Sequence, residues 1–301
     1  MKSGFVTIIG RPNVGKSTLM NALVGAKVAI TSKKPQTTRH KIRGILTVPK
    51  KGQIVFLDTP GMIEARNKLG EYMVSSIRQA AKDVDVLLWL VEPAENQGPV
   101  LGKNEERIRE LLKEERTPVI LVVNKMDVLK NPNEILATID RYREVFDFAE
   151  IVPVSAKTGA NLEELKEAVF SCLPEGPFFY EEDDLTDQTM RQLAAEIIRE
   201  KALHALSEEV PHGIAVTIED FHTNRDGSVT IYADVICEKD SHKGIIIGKG
   251  GSMLKKIGTN ARYELEKSLE KKCLLKLFVK VKRNWRESEA MLKNLGFTDE
   301  S

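Results

Sequence analysis

Residues 10–17 read Gly-Arg-Pro-Asn-Val-Gly-Lys-Ser, the Gly-x4-Gly-Lys-Ser pattern of a phosphate-binding loop. This feature constrains the fold because the pattern works between a buried strand and the first turn of a helix. Both flanks are present. Residues 5–9 are a short apolar run that predicts a buried strand, and residues 16–23 have helical spacing. Glycines at Gly10 and Gly15 let backbone N–H groups face phosphates closely, and the helix N-terminus adds a favourable dipole. Lys16 supplies a point charge for the β- and γ-phosphates, and Ser17 Oγ is expected to ligate Mg2+. Arg11, Pro12, Asn13, Val14 and Thr18 complete the expected phosphate contacts. An ordinary glycine turn does not compete with this reading.

The loop alone establishes only a nucleoside triphosphate. Asn124-Lys125-Met126-Asp127 follows a fully apolar run at 118–123 and selects the base. A carboxylate at Asp127 offers only acceptors, and guanine presents N1–H and an exocyclic amine as matching donors. Adenine lacks that pair and would leave a buried Asp127 unpartnered. Ser155-Ala156-Lys157, after an apolar run at 151–154, fits a second base contact through a backbone N–H near the guanine O6. Taken singly, the Asn-Lys-x-Asp string also reads as a capped helix start; its distance from the phosphate loop favours guanine.

Asp58-Thr59-Pro60-Gly61 also follows a strand pattern. Asp58 is expected to hold Mg2+ through a water, and the Gly61 N–H to sense the γ-phosphate. The next residue is Met62, where many small signalling GTPases place a water-positioning glutamine; a thioether cannot orient water well. Residues 35–39, Pro-Gln-Thr-Thr-Arg, lie in a polar stretch where a mobile switch belongs. Gln36, Thr37, Thr38, Arg39 and His40 are the switch candidates, together with Thr59 and Pro60. One threonine must meet Mg2+ only when the γ-phosphate is present; Thr38 is favoured over Thr37, and a plain solvated loop is the bland alternative. The Asn13 carbonyl is a candidate for holding a monovalent cation, K+ for instance, beside the phosphates.

At 301 residues the chain is long for one compact domain and predicts two. Apolar strand patterns alternate with helical ones through residue 172, which predicts a parallel α/β sheet with helices on both faces. Residues 174–177, Pro-Glu-Gly-Pro, and the acidic cluster at 181–184 end that pattern. The expected domains are therefore 1–173 and 189–301, with a linker at 174–188. Three scattered cysteines, Cys172, Cys237 and Cys273, form no CxxC pair and predict small core residues in a reducing cytoplasm. No apolar run is long enough to span a bilayer. The net charge of +1 hides an uneven distribution: residues 239–293 hold about 15 basic and 6 acidic side chains.

The second part predicts the order α-β-β-α-α-β plus a C-terminal helix. Ile247-Gly248-Lys249-Gly250-Gly251-Ser252 forms a Gly-x-x-Gly loop between two helical patterns, with Lys255 and Lys256 following. In this order the loop matches a type II KH module, which binds nucleic acid. Glycines allow close approach to a nucleic-acid backbone, Lys249 and Lys255 supply charge, and the isoleucines offer an apolar floor. A basic helix face with a tight turn is the bland alternative. Lys276, Lys280 and Lys282 share a strand parity and also read as the solvent side of a sheet.

The combination of the phosphate loop, Gln36–His40, Asp58–Gly61, Asn124–Asp127, Ser155–Lys157 and the Gly248–Gly251 loop closely resembles the bacterial Era family of GTPases, over nearly the whole chain. The resemblance implies slow GTP hydrolysis with Mg2+, binding to the 3′ end of small-subunit (16S) ribosomal RNA, and a role in maturing the 30S subunit. It also implies loose association with the inner membrane, and it matches Asn13 to a cation-binding Asn and Thr38 to the Mg2+-binding switch Thr. A cytoplasmic monomer is expected. The leading expectation is an RNA-binding switch in which GTP alters presentation of the KH face. The runner-up is a membrane-surface signalling GTPase whose KH-like domain docks a protein. A GTP-driven RNA-modifying enzyme finds no support, because His204, His212, His222 and His242 are scattered.

Overall fold

The computed structural model describes residues 1–82, 84–93, 101–129, 133–207 and 209–297. The chain divides into two compact units. One comprises Met1–Thr31, Thr38–Arg66 and Gly70–Asp187; the other comprises Ser32–Thr37, Asn67–Leu69 and Gln188–Ser301.

The first unit runs β1 (Lys2–Gly10), α1 (Lys16–Val24), β2 (Ile42–Val48), β3 (Gly52–Asp58), α2 (Lys68–Lys82), β4 (Val86–Val91), α3 (Lys103–Lys113), β5 (Val119–Val123), α4 (Asn133–Arg143), β6 (Glu150–Pro153) and α5 (Leu162–Cys172). Its strands form one sheet in the order β2-β3-β1-β4-β5-β6. Only the β2–β3 pair is antiparallel. Strand residues alternate between two apolar layers, which is why the runs read as continuously hydrophobic. Val6, Ile8, Leu88, Leu90, Ile120 and Val122 pack with residues of α1 and α5. Ile9, Leu87, Trp89, Val91, Leu121 and Val123 pack with residues of α2, α3 and α4. Parallel register lines up the C-terminal strand ends, with Ile8 opposite Asp58 and Gly10 opposite Leu90. The loops that follow β1, β3, β5 and β6 therefore converge at one edge, where open α/β sheets bind ligands.

Residues 174–188, expected as a linker, run as a strap along the first unit as far as Asp187. Fully buried Gln53 accepts from Phe179 N (2.8 Å) and Tyr180 N (3.0 Å) and donates to Tyr180 O (3.0 Å). Ile45 N donates to Leu185 O at 2.9 Å, and Phe179 packs on the Phe5 ring. Proline, glycine and acidic residues read as linker by composition; what holds them is a glutamine whose neighbours are remote in sequence. The strap also covers the outer edge of β2, which would otherwise present unpaired backbone groups.

The second unit runs α6 (Met190–Ala205), β7 (Ala215–Thr223), β8 (Val229–Cys237), α7 (Asp240–Ile247), α8 (Ser252–Leu269), β9 (Cys273–Val281) and α9 (Glu289–Asn294). The sheet order is β7-β8-β9, with β7–β8 antiparallel and β8–β9 parallel. A capping box starts α6: Gln192 N donates to Thr189 Oγ1, and Thr189 N donates back to Gln192 Oε1 at 2.8 Å. Ala194, Ile197 and Ile198 of α6 and Ile257, Ala261 and Leu265 of α8 share an apolar cluster with Ile231, Ala233 and Val235 of β8. Cys237 and Cys273 are buried and Cys172 is half-buried, and all three are free thiols.

Candidate functional site

In the first unit the phosphate loop turns directly out of β1. Lys16 is buried, and its Nζ donates to the carbonyls of Arg11 (3.1 Å) and Gly10 (3.4 Å). Burial pushes the Lys16 ammonium down to about 8, against an opposing pull from the Asp58 carboxylate. Asp58, at the end of β3, is fully buried. Its Oδ2 accepts from Ser17 Oγ (2.6 Å) and Thr38 Oγ1 (3.1 Å), and those two hydroxyls lie 2.9 Å apart. Burial pushes the Asp58 carboxyl upward, while Lys16 and the two hydroxyls hold it back. Asp58 Oδ1 is buried with no hydrogen-bond partner among the described residues.

Of the two threonines weighed from sequence, the structure puts Thr38 beside Ser17 and Asp58. Thr37 Oγ1 turns away and donates to Lys34 O at 2.6 Å. Gln36 takes a positive φ of 60° in this segment, which contains neither helix nor strand. Arg39 is buried and His40 lies near the Tyr72 ring. Thr59 Oγ1 donates to Ile8 O at 2.9 Å, and Thr59, Pro60 and Gly61 are all buried. A Cβ on Gly61 would stand 2.8 Å from Pro12 Cα and N, so a side chain there would collide with the phosphate loop itself. Met62 is 4% exposed and packs with Ile9, Ile77 and Trp89, so its thioether serves the core.

The Asn124–Asp127 segment braces the phosphate loop from the next strand ends. Asn124 Nδ2 donates to Val14 O at 2.8 Å, and Asn124 Oδ1 accepts from Ala156 N at 2.9 Å. Lys125 Nζ donates to Asn13 O at 3.0 Å and pairs with Glu92. Asp127 is exposed rather than buried, because it sits in the 3-10 turn Met126–Val128 beyond the end of β5. Ser155 Oγ donates to Asp127 Oδ1 at 2.6 Å and so fixes the carboxylate's orientation. Lys157 is exposed on the same loop, and Asn13 is exposed with a φ of 66°.

In the second unit the Gly248–Gly251 loop joins α7 to α8. Gly248, Gly250 and Gly251 all have positive φ, and a Cβ on Gly250 would meet nothing within 4 Å. Its glycine thus serves conformation and leaves open space in front of the backbone. A groove of about 470 Å3 runs from this loop between α8 and β9, lined by Gly251, Leu254, Lys255, Gly258, Arg262 and Leu277 among others. Ile247 is half-buried against the core, while Lys249, Ser252 and Lys255 are exposed beside the loop.

Residues 5–125 match the family described as 50S ribosome-binding GTPase, and residues 209–286 match the KH domain family. The GTPase Era of Clostridium kluyveri is 52% identical over 99% of both chains. That of Heliobacterium modesticaldum is 49% identical, over 99% of this chain and 98% of its own. The chain belongs to the Era family of GTPases. A solved structure of an alanine variant of Aquifex aeolicus Era bound to GDP·AlF4− superposes with a TM-score of 0.94 at 41% identity, covering 99% of each chain. An Era chain solved with MgGDPNP and nucleotides 1506–1542 of 16S ribosomal RNA matches equally, with the same TM-score, identity and coverage. The expected fold, a mostly parallel GTPase domain followed by a KH domain, is the Era fold.

Two further residues support these sites. Glu105 of α3 is buried and lies 3.2 Å from Arg11 Nε. It also accepts from Tyr142 Oη (2.6 Å) and from Gly102 N (2.8 Å). As part of an ordinary charged helix it carried no sequence signal. Gly258 did carry one: a glycine inside an 18-residue helix costs about 1 kcal/mol relative to alanine and needs a reason. Its reason is the groove, which it lines opposite Leu277.

Proposed function

We propose that this chain is a GTP-hydrolysing switch that binds 16S ribosomal RNA near its 3′ end and assists maturation of the 30S subunit. Lys16 and the backbone of Gly10–Ser17, with Arg11, Pro12, Asn13, Val14, Gly15 and Thr18, hold the phosphates. Asp127 pairs with the guanine N1–H and amine, Ser155–Lys157 close over the base, and Asn124, Lys125 and Met126 position that reader. The switch comprises Gln36–His40 with Thr59 and Pro60.

The oxygens at Ser17, Thr38 and Asp58 suit Mg2+: two hydroxyls and a carboxylate, one of whose buried oxygens, Asp58 Oδ1, lacks a partner among the described residues. These are hard ligands of the kind Mg2+ prefers, with water retained between ion and carboxylate. When bound, the ion neutralises charge on the β- and γ-phosphates. Lys16 adds charge at the same oxygens, and the Gly61 N–H donates to the γ-phosphate. Water then attacks the γ-phosphorus, the bond to the β–γ bridging oxygen breaks, and GDP and phosphate form. Because Met62 is committed to the core, another group orients this water. Asn13 is the residue assigned to a monovalent cation, K+, that offsets charge at the phosphates.

The observation that carries the RNA assignment is the Gly248–Gly251 loop opening onto the α8–β9 groove. Positive-φ glycines let a nucleic-acid backbone approach, Lys249, Lys255 and Arg262 supply charge, and Ile247, Leu254 and Leu277 supply apolar contact. The complex of the 41%-identical Era chain with 16S nucleotides supports the same choice of RNA. Filter binding of single-stranded 3′-end 16S RNA tests it. Affinity is expected to fall steeply with salt and to drop at least tenfold in Gly250→Asp, which sets an anion against phosphate. A flat salt response and an unaffected variant would sink the assignment. Cytoplasmic location, monomeric state and loose inner-membrane association belong to the same reading; sedimentation and flotation with vesicles check the last two. Among the described residues no helix is long and apolar enough to cross a membrane.

A further inference from the structure

A second groove lies on the other side of α8. It has a volume of about 440 Å3 and runs between Lys201 and His204 of α6 and Lys256, Asn260, Tyr263 and Glu264 of α8. Tyr263 is 72% exposed, more than any other large apolar or aromatic side chain among the described residues. An aromatic ring standing in water contributes nothing to the core, and neither Tyr263 nor Lys256 has a hydrogen-bond or ion-pair partner among the described residues. Lys201 is held in place at the groove's wall by Glu200 (2.8 Å) and Glu264 (3.5 Å). Thr259 lines this groove and the α8–β9 groove alike, so the two flank one helix.

We infer that this α6–α8 groove is a second RNA subsite, which takes unpaired nucleotides flanking those held at the Gly248–Gly251 loop. The inference rests on the RNA reading above and extends it. A KH loop clamps about four nucleotides. The related Era chain was solved with the much longer stretch 1506–1542, which leaves nucleotides beyond those a loop clamps. The chemistry of the groove suits such RNA. An exposed tyrosine stacks on any unpaired base, because every base has a π-face. Lys256, with no acidic partner, meets a phosphate, and Asn260 and Thr259 offer hydrogen bonds to sugar or base edges.

The test uses the full chain and two labelled single-stranded RNAs from the 3′ end of 16S rRNA, one of about 5 nucleotides and one of about 15. Anisotropy gives the affinity of each. Tyr263→Ala is expected to weaken the longer RNA about tenfold and leave the shorter unchanged, so that the gain from length disappears. Tyr263→Phe, which keeps the ring, is expected to restore it. Lys256→Gln is expected to reduce the salt slope for the longer RNA by about 0.7. Thermal melting checks that each variant is folded; both positions are exposed, so loss of folding is not expected. If Tyr263→Ala and Lys256→Gln bind both RNAs as the parent does while Gly250→Asp binds neither, the second subsite is overturned and the loop assignment stands. If the parent chain binds neither RNA, the RNA reading itself falls and the subsite falls with it.

Discussion

Lys16 keeps its ammonium in a buried place where, among the described residues, its hydrogen-bond acceptors are the carbonyls of Gly10 and Arg11. Two carbonyl dipoles do not replace water around a full charge, and its pKa falls to about 8. A triphosphate supplies the missing countercharge and raises that pKa again, so binding takes up a proton wherever the free chain has lost one. The sign follows: affinity for a GTP analogue is full below about pH 8 and falls as pH rises through that value, by up to about tenfold per unit. Calorimetry in buffers of different ionisation enthalpy at pH 9 is expected to show the proton uptake. A pH-independent affinity between 7 and 9.5 would remove this account of Lys16. Thr38 and Thr37 offer a second test at the same scale. Thr38→Ala is expected to cut GTP hydrolysis at limiting Mg2+ by about 10- to 100-fold, and Thr37→Ala to change it little, since only Thr38 reaches Asp58. Equal losses in both variants would move the ion site away from Thr38.

Gln53 shows how one side chain can decide the fate of an element. Its carboxamide accepts from two strap N–H groups and donates to Thr47 Oγ1 (2.9 Å) and Tyr180 O (3.0 Å). Gln53→Ala leaves those groups unsatisfied and is expected to cost about 2–3 kcal/mol, lowering the Tm by several degrees and exposing residues 174–187 to protease. An unchanged Tm with an unchanged cleavage pattern would show that the strap is held by something else. The same residue explains where sequence reading stopped. The alternation of strands and helices through residue 172 was legible because its signals are local: Lys103–Lys113 and Leu162–Cys172, for instance, each carry an apolar stripe. The phosphate loop, Asn124–Asp127 and the Gly248–Gly251 loop were legible for the same reason, each being a short string whose chemistry needs that spacing. The strap depends on contacts about 126 residues apart in sequence, and composition alone made it a linker. Exposure of Asp127 escaped for a related reason: β5 ends at Val123 where its apolar run does, but the path of the turn Met126–Val128 beyond it is set together with remote Ser155, whose Oγ donates to Asp127 Oδ1. Glu105, tied to Arg11, is a tertiary contact with no local mark at all.

At the scale of the molecule, one chain joins a GTPase with a KH module, and the proposed switch makes a thermodynamic demand on it. If bound GTP changes RNA affinity by some factor, bound RNA must change GTP affinity by the same factor, whatever the path between the sites. A factor of about 5 to 150 is the ordinary range for such coupling. Two titrations suffice. One measures 16S 3′-end RNA binding with a non-hydrolysable GTP analogue and with GDP. The other measures analogue binding with and without saturating RNA, at fixed salt, because phosphate contacts make every RNA affinity salt-dependent. Matching factors above about 5 are expected. Thr38→Ala is then expected to shrink both factors together, because Thr38 is hydrogen-bonded to Ser17 and Asp58 and is the residue proposed to respond to the γ-phosphate. Factors of one in both titrations would leave GTP hydrolysis and RNA binding as separate properties of the chain, and the switch would have to be abandoned even with both activities intact.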